Sequence, residues 1–185
     1  MLYPARRIVT GHNSKGGSIV VADELATNIV TNPATPNRGL INFWRTEQSP
    51  ARNDGTRDPM DGPAQGLLPP KNGSVFRFFQ VAPEKDMAHL SRAERETRTH
   101  AAFAGMGAAS ARVDTSRHSS MHKTETVDYI ILLQGEVTML LDDGEVAMKP
   151  FDVVVQRGTN HGWVNYGDTP ALLVAVLIDA VPYPG

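Results

Sequence analysis

Apolar and polar positions change their rhythm along this chain. From residue 127 onward apolar side chains come in alternating or short unbroken runs, at 127–133, 137–141, 145–148, 153–156, 161–166 and 171–178. Runs of this length, rich in β-branched residues, predict strands rather than helices. Between them lie Gln134-Gly135, Asp142-Asp143-Gly144 and Gly167-Asp168-Thr169-Pro170, whose Gly and Asp residues tolerate turn dihedrals. Six strands so closely spaced predict antiparallel hairpins. Upstream, residues 18–22, 40–45 and 75–81 predict three more strands. Residues 49–73, crowded with Pro, Gly, Asp and Asn, read as a long solvated surface loop, with closure over a pocket as the alternative.

One helix is expected. Ser91-Arg92-Ala93-Glu94 has the form of a capping box, and the helix would run through 101–104 to end near Gly105 or Gly107. Residues 130–133 and 171–178 are apolar at successive positions, so both faces of those strands need cover. The N-terminal strands, the helix or a partner subunit would supply it, and a homodimer is the expected assembly. Tyr129, opposite Asp128 on its strand, is expected to pack against that cover.

Composition narrows the picture by exclusion. With 185 residues, one domain with a sizeable core is expected. The 18 basic and 20 acidic residues give a formal charge of -2, which offers no electrostatic reason to bind nucleic acid or an anionic membrane. The absence of cysteine removes disulfides, thiolate metal sites and cysteine nucleophiles. Neither a leader nor a membrane-spanning apolar run is visible, so a cytoplasmic protein is expected.

Candidate chemistry gathers in two stretches. On an extended strand His122, Thr124, Thr126 and Asp128 share a face, and in the second stretch His161, Trp163 and Asn165 do. Bringing them together across the interior of an antiparallel barrel would set two imidazoles and a carboxylate around one point. That is the donor set of a mononuclear divalent metal with open positions. The alternative is a hydrogen-bonded polar cluster that needs no metal. Glu125 substitutes for Asp128 only if a bulge turns it inward. His118 could fold over the barrel mouth, and a lone His100 on a short helix is expected to be solvated. Arg77 interrupts an aromatic run: it either binds a substrate carboxylate or sits solvated on an edge strand. Trp163 reads as a pocket wall or plain core.

These two stretches resemble the paired motifs of the cupin superfamily, over about residues 112 to 180. His122 matches the first histidine of the first motif, Asp128 its glutamate and Gly135 its closing glycine. Gly158, His161 and Asn165 match the glycine, histidine and asparagine of the second. Thr124 stands where the family has a second histidine, Asp128 is one methylene shorter than glutamate, and Phe151 and Gln156 replace a Gly and a Pro, with one residue fewer between them. The resemblance implies an all-β, jelly-roll barrel core at 112–185, with residues 1–111 as an extension of strands and one helix packed on it. It also implies a divalent metal (Fe, Mn, Zn or Ni) held by His122, Asp128 and His161.

Two classes of function follow. In the first, an enzyme acts on a small oxygenated molecule as an oxygenase, isomerase or decarboxylase. His122, Asp128 and His161 carry the chemistry, and Thr124, Trp163, Asn165 and Arg77 bind the substrate. A metal-free variant would use Asp128 and a histidine for proton transfer in a dehydration or isomerisation. In the second, the barrel binds a small ligand without catalysis.

Overall fold

β-Branched and aromatic runs set the strands, and the turn residues between them fix the register. The computed structural model describes residues 1–184. In chain order the elements are β1 (Arg6–His12), β2 (Ser18–Leu25), β3 (Ile29–Asn32), β4 (Thr35–Thr46), β5 (Ser74–Val81), α1 (Arg92–Gly105), β6 (Thr126–Gln134), β7 (Val137–Leu141), β8 (Glu145–Met148), β9 (Val153–Arg157), β10 (His161–Val164) and β11 (Ala171–Asp179). Every strand pairing is antiparallel. A six-stranded sheet runs β3-β4-β5-β11-β6-β9 and a three-stranded sheet runs β10-β7-β8. Their inner faces meet in one core that includes Ile130 and Leu132 of β6, Val137 and Met139 of β7, Trp163 of β10, and Leu173 of β11. This is the all-β jelly-roll arrangement, with two packed sheets and no ladder that closes all the way round.

Three of the N-terminal strands, β3, β4 and β5, are part of the six-stranded sheet. β5 lies between β4 and β11, so an arginine on β5 occupies an interior strand and the solvated-edge reading of Arg77 does not hold. The other face of β4 and β5 carries a second apolar cluster, Ala5, Ala26, Ile41 and Phe43 with Leu2 and Phe78. β1 and β3 were not expected from the sequence. β1 begins with Arg6-Arg7 and pairs only with β2, in a separate two-stranded sheet where Arg6 pairs with Asp23 at the surface.

The helix forms as its capping box dictates. The Ser91 hydroxyl accepts from the Glu94 amide, and the Glu94 carboxylate accepts from the Ser91 amide at 2.8 Å. It ends at Gly105, and Gly107 takes a left-handed φ of 70°. Residues 49–73 are not the slack loop expected. Met60 and Gln65 are buried, the Asn28 side chain donates to the Met60 carbonyl, and the Leu67 amide donates to the Met106 carbonyl just past α1. Gly66 makes this approach feasible, because a Cβ there would lie 2.4 Å from the Met106 oxygen.

Cover for the two-faced strands comes mainly from the chain itself, through the second sheet and the N-terminal strands. The outer face of β6 and β9 stays open within one chain: Tyr129, Val153 and Val155 are exposed, so Tyr129 does not pack against a covering layer here. Phe151, at the position where the family pattern has glycine, adopts φ 76° with its ring in solvent. The tight turn survives the substitution at the cost of a strained backbone conformation.

Candidate active site at the barrel wall

His122 precedes β6, in a segment that crosses to the three-stranded sheet. Its amide donates to the His161 carbonyl at 2.8 Å, and the His161 amide donates to the His122 carbonyl at 2.9 Å. The two histidines thus form one hydrogen-bonded antiparallel pair, which puts their side chains next to each other on one face. Their ring centroids are 4.3 Å apart. They meet as neighbours on one wall rather than across the interior. Gly162 permits the close approach, since a Cβ there would lie 2.8 Å from the Ser120 hydroxyl.

Each ring is oriented by a partner on its Nδ1. His122 Nδ1 lies 2.9 Å from the Ser120 carbonyl, which can only accept, so the ring proton sits on Nδ1 and Nε2 is bare. His161 Nδ1 lies 2.7 Å from the Gln156 amide nitrogen and 3.0 Å from the Thr159 carbonyl. Two arrangements satisfy these contacts: a bare Nδ1 that accepts from Gln156 and leaves the ring proton on Nε2, or an Nδ1–H that donates to the Thr159 carbonyl while Gln156 donates to Thr159. Burial lowers the pKa of both rings, with His161 pushed down to about 3 by burial and by the His122 ring beside it. Both are neutral at physiological pH. Phe103 of α1 caps the pair, with its ring centroid 4.9 Å from that of His122, and the Arg112 guanidinium lies over the Phe103 ring.

Asp128 faces the interior from β6, directly across the β6–β9 ladder from Gln156. It is buried to 4% exposure and its Oδ1 has no hydrogen-bond partner among the described residues. Burial raises its pKa to about 6 against the opposing pull of the Thr126 hydroxyl and the Arg77 charge. Gln156 links the carboxylate's strand to the His161 ring. The sequence pointed to this residue only as a departure from the family's proline, and its hydrogen-bonding role was missed; so was the ring contact of Phe103, whose position on the helix carries no motif.

The remaining candidates separate by what they touch. Thr124 is buried and its hydroxyl bonds that of Thr126 at 2.7 Å. Trp163 belongs to the core cluster and also stands edge-on to His161, with centroids 5.7 Å apart, so it is both core and wall. Asn165 is a structural latch rather than a substrate contact: its side chain donates to the Val81 and Thr169 carbonyls and accepts from the Gly167 amide. Glu125 is exposed on the outer face, as plain alternation requires. His118 turns away from the pair, bonding Ser120 through Nδ1 and approaching Glu84 at 3.4 Å through Nε2, and His100 is exposed.

The donor chemistry can be tested against a divalent metal. Among the described residues no three His, Asp or Glu side chains converge as a metal cluster. His122 and His161 come together, Asp128 does not join them as a third ligand, and the threonine at the family's second histidine position spends its hydroxyl on Thr126. Catalytic divalent sites normally use three protein ligands. The residues present do not fit the three-ligand centre that the family pattern implies.

Several known proteins are similar to this chain in whole or in part. The cupin-domain-containing oxidoreductase fogC of Aspergillus ruber is 26% identical over 179 residues, covering 94% of this chain and 71% of that protein. Phomopsin biosynthesis cluster protein C' of Diaporthe leptostromiformis is 47% identical over 66 residues, 35% of each chain. A crystal structure from Salmonella typhimurium described as an ethanolamine utilization protein aligns over 97% of this chain and 99% of that one, at a TM-score of 0.43 and 11% identity. No helix among the described residues is long and apolar enough to cross a membrane. The family model of the cupin domain matches residues 111–177, the stretch that carries both histidines, Asp128 and Gln156.

Proposed function

We propose that this chain is a cupin enzyme that moves protons on a small oxygenated molecule held against His122, His161 and Asp128. The observation that carries this reading is a buried carboxylate with an idle oxygen, Asp128, whose ladder partner Gln156 contacts the ring of His161, which in turn lies beside the neutral ring of His122. Asp128, with a pKa of about 6, is a general base matched to neutral pH. It takes a proton from the carbon next to a carbonyl, and the electron pair of that C–H bond moves into the carbon–carbon bond. The charge arriving on the carbonyl oxygen is met by the Nε2–H of neutral His161, a donor that needs no ionisation to polarise a carbonyl. Return of the proton from Asp128 to another carbon completes an isomerisation. Its delivery to a departing β-hydroxyl completes a dehydration, with water as the second product.

A second reading is redox chemistry with a divalent metal held through the His122 and His161 rings, favoured by the name oxidoreductase that the Aspergillus ruber relative carries. One experiment separates the two. Protein stripped with a chelator is incubated in D2O with a panel of 1,3-dicarbonyl and β-hydroxycarbonyl compounds, and deuterium uptake is followed by NMR. The proton-transfer reading expects exchange by the stripped protein that rises with pH through about 6 and is lost in Asp128→Asn. Activity that vanishes with chelation and returns with added Fe(II) or Mn(II) would replace it with the metal reading. No turnover in either form, with ligands still bound, would leave a binding protein.

A further inference from the structure

Arg77 is the largest side chain in the molecule that is almost wholly out of solvent, at 1% exposure. Its register partner on β4 is Asn42, at 0% exposure, and residues paired across an antiparallel ladder share a face. That face also carries Phe79 and Val81, which pack into the core between the two sheets, so Arg77 points inward. Of its five N–H donors one position is used, Nη2 donating to the Gly66 carbonyl at 2.8 Å. Nε and Nη1 have no partner among the described residues, and no carboxylate lies within salt-bridge distance. Asn42 shows the complementary lack: its Nδ2 is held by Asn28 and the Gln65 carbonyl, while its Oδ1 is unpartnered.

A buried guanidinium with idle donors is among the most expensive things a fold can contain, and an anion that takes those donors offsets the penalty through charge as well as hydrogen bonds. Asp128 does not fill this role, since its own Oδ1 is idle and it acts on Arg77 only through space. The planar fork of an arginine matches a carboxylate with two parallel hydrogen bonds. From Arg77 an aromatic path leads to the histidine pair: Phe79, two positions along the same strand face, lies 5.7 Å from Trp163, which lies 5.7 Å from His161.

We propose that Arg77 is a buried receptor for the carboxylate of the substrate, so that the molecule processed at His122, His161 and Asp128 is an organic acid. This deepens the proposed function and rests on it for the word substrate, but its binding test is independent of turnover. The Gly66 carbonyl, carried on the packed 58–68 segment, holds one donor of the receptor and forms its roof together with Met106 beyond α1.

Isothermal titration calorimetry with benzoate and its neutral counterpart benzamide tests the assignment on the full chain at pH 7.5. Wild type is expected to bind benzoate at least tenfold more tightly than benzamide, Arg77→Met to lose that preference, and Arg77→Lys to recover part of it. Equal affinity for the two compounds, or a preference that survives in Arg77→Met, would overturn the proposal. Should Arg77→Met fail to fold, Asp128→Asn decides: removing the nearby negative charge tightens benzoate severalfold if Arg77 is the receptor, and unchanged or weaker binding refutes it. His161→Ala keeps the two ideas apart. It is expected to lose deuterium exchange while retaining benzoate binding within about threefold. Wild type that exchanges protons but shows no benzoate preference sinks the carboxylate receptor alone, and wild type that prefers benzoate but exchanges no protons sinks the proton-transfer reading alone.

Discussion

His122 and His161 exchange both of their backbone hydrogen bonds, at 2.8 and 2.9 Å, and this pairing brings their imidazoles side by side. The placement belongs to the backbone and not to the rings, so replacing one ring leaves the other where it is. It also explains why two buried imidazoles coexist at this distance. Each is neutral, each has its Nδ1 engaged, and neither depends on a shared proton or ion to stay put.

Asp128 and His161 pull stability in opposite directions as pH changes. The carboxyl pKa is raised in the folded protein to about 6, so the native state holds more protons than the unfolded chain between about 4 and 6, and stability from this group falls as pH rises through that window. His161 is lowered to about 3, so the unfolded chain holds the extra proton below about 6.5, and stability from this group is lost as pH falls. His122 shifts in the same direction as His161. Urea titrations between pH 4 and 6 are therefore expected to show a steeper rise of stability with pH in Asp128→Asn than in wild type, and a flatter one in His161→Asn. Each group contributes at most about 1.4 kcal/mol per pH unit. Identical slopes in all three proteins would mean that neither group is perturbed as described.

The proposed mechanism requires Gln156 to hold His161 as its Nε2–H tautomer by donating to Nδ1. Removing its amide in Gln156→Leu frees Nδ1 to carry the proton and donate to the Thr159 carbonyl, 3.0 Å away. The proton should move from Nε2 to Nδ1, which 15N chemical shifts of the ring read directly. The deuterium exchange proposed for wild type should fall at least tenfold, because the N–H aimed at the substrate oxygen is gone. A variant whose ring keeps its Nε2 proton would show that the tautomer is fixed by something else.

Much of this architecture was legible in the residues, and the failures have physical causes. β7 and β8 fall where their apolar runs and the turns around Gly135 and Gly144 put them, and the helix starts at its capping box. β1 and β3 were missed because neither presents the apolar alternation of a half-buried strand: most of β1 is exposed, and β3 is four residues beside a longer partner. The site was half legible. Periodicity aligned Thr126, Asp128 and Ile130 on the buried face, but which strands would lie next to each other is a tertiary fact. Asn42 and Phe103 therefore enter the site region without any local signal, Gln156 showed only as a departure from a motif, and Arg77 was marked by its interruption of an aromatic run. The 49–73 segment misled for a related reason: its composition is that of a solvated loop, yet Asn28 and Asn42 offer side-chain partners to its backbone and hold it down.

Asn165, despite matching a family motif position, acts on stability. Asn165→Ala removes three hydrogen bonds and leaves the Val81 and Thr169 carbonyls and the Gly167 amide without their partner in a fully buried place. A loss of about 2–4 kcal/mol is expected in chemical denaturation. Benzoate affinity of the folded fraction should be unchanged, and a variant of wild-type stability with altered affinity would return Asn165 to the binding site.

Gly66 joins the long loop to the helix and to Arg77 at once. An added Cβ would sit 2.4 Å from the Met106 carbonyl, a backbone atom that cannot swing aside like a flexible side chain. In Gly66→Ala the loop must therefore lift, breaking the Leu67 amide bond to Met106 and withdrawing the Gly66 carbonyl from Arg77 Nη2. Lifting it loosens the backbone around Arg52 and Arg57, two side chains already exposed at the surface, so that the segment can enter the trypsin active site. Limited proteolysis should cut the variant within 49–73 at least tenfold faster than wild type, while the strand core, held by the apolar cluster between the sheets, stays intact. If the roof closes the carboxylate receptor, benzoate should also protect wild type from cleavage in this segment and fail to protect the variant. Equal cleavage of the two proteins would show that the loop is already free of the helix in solution.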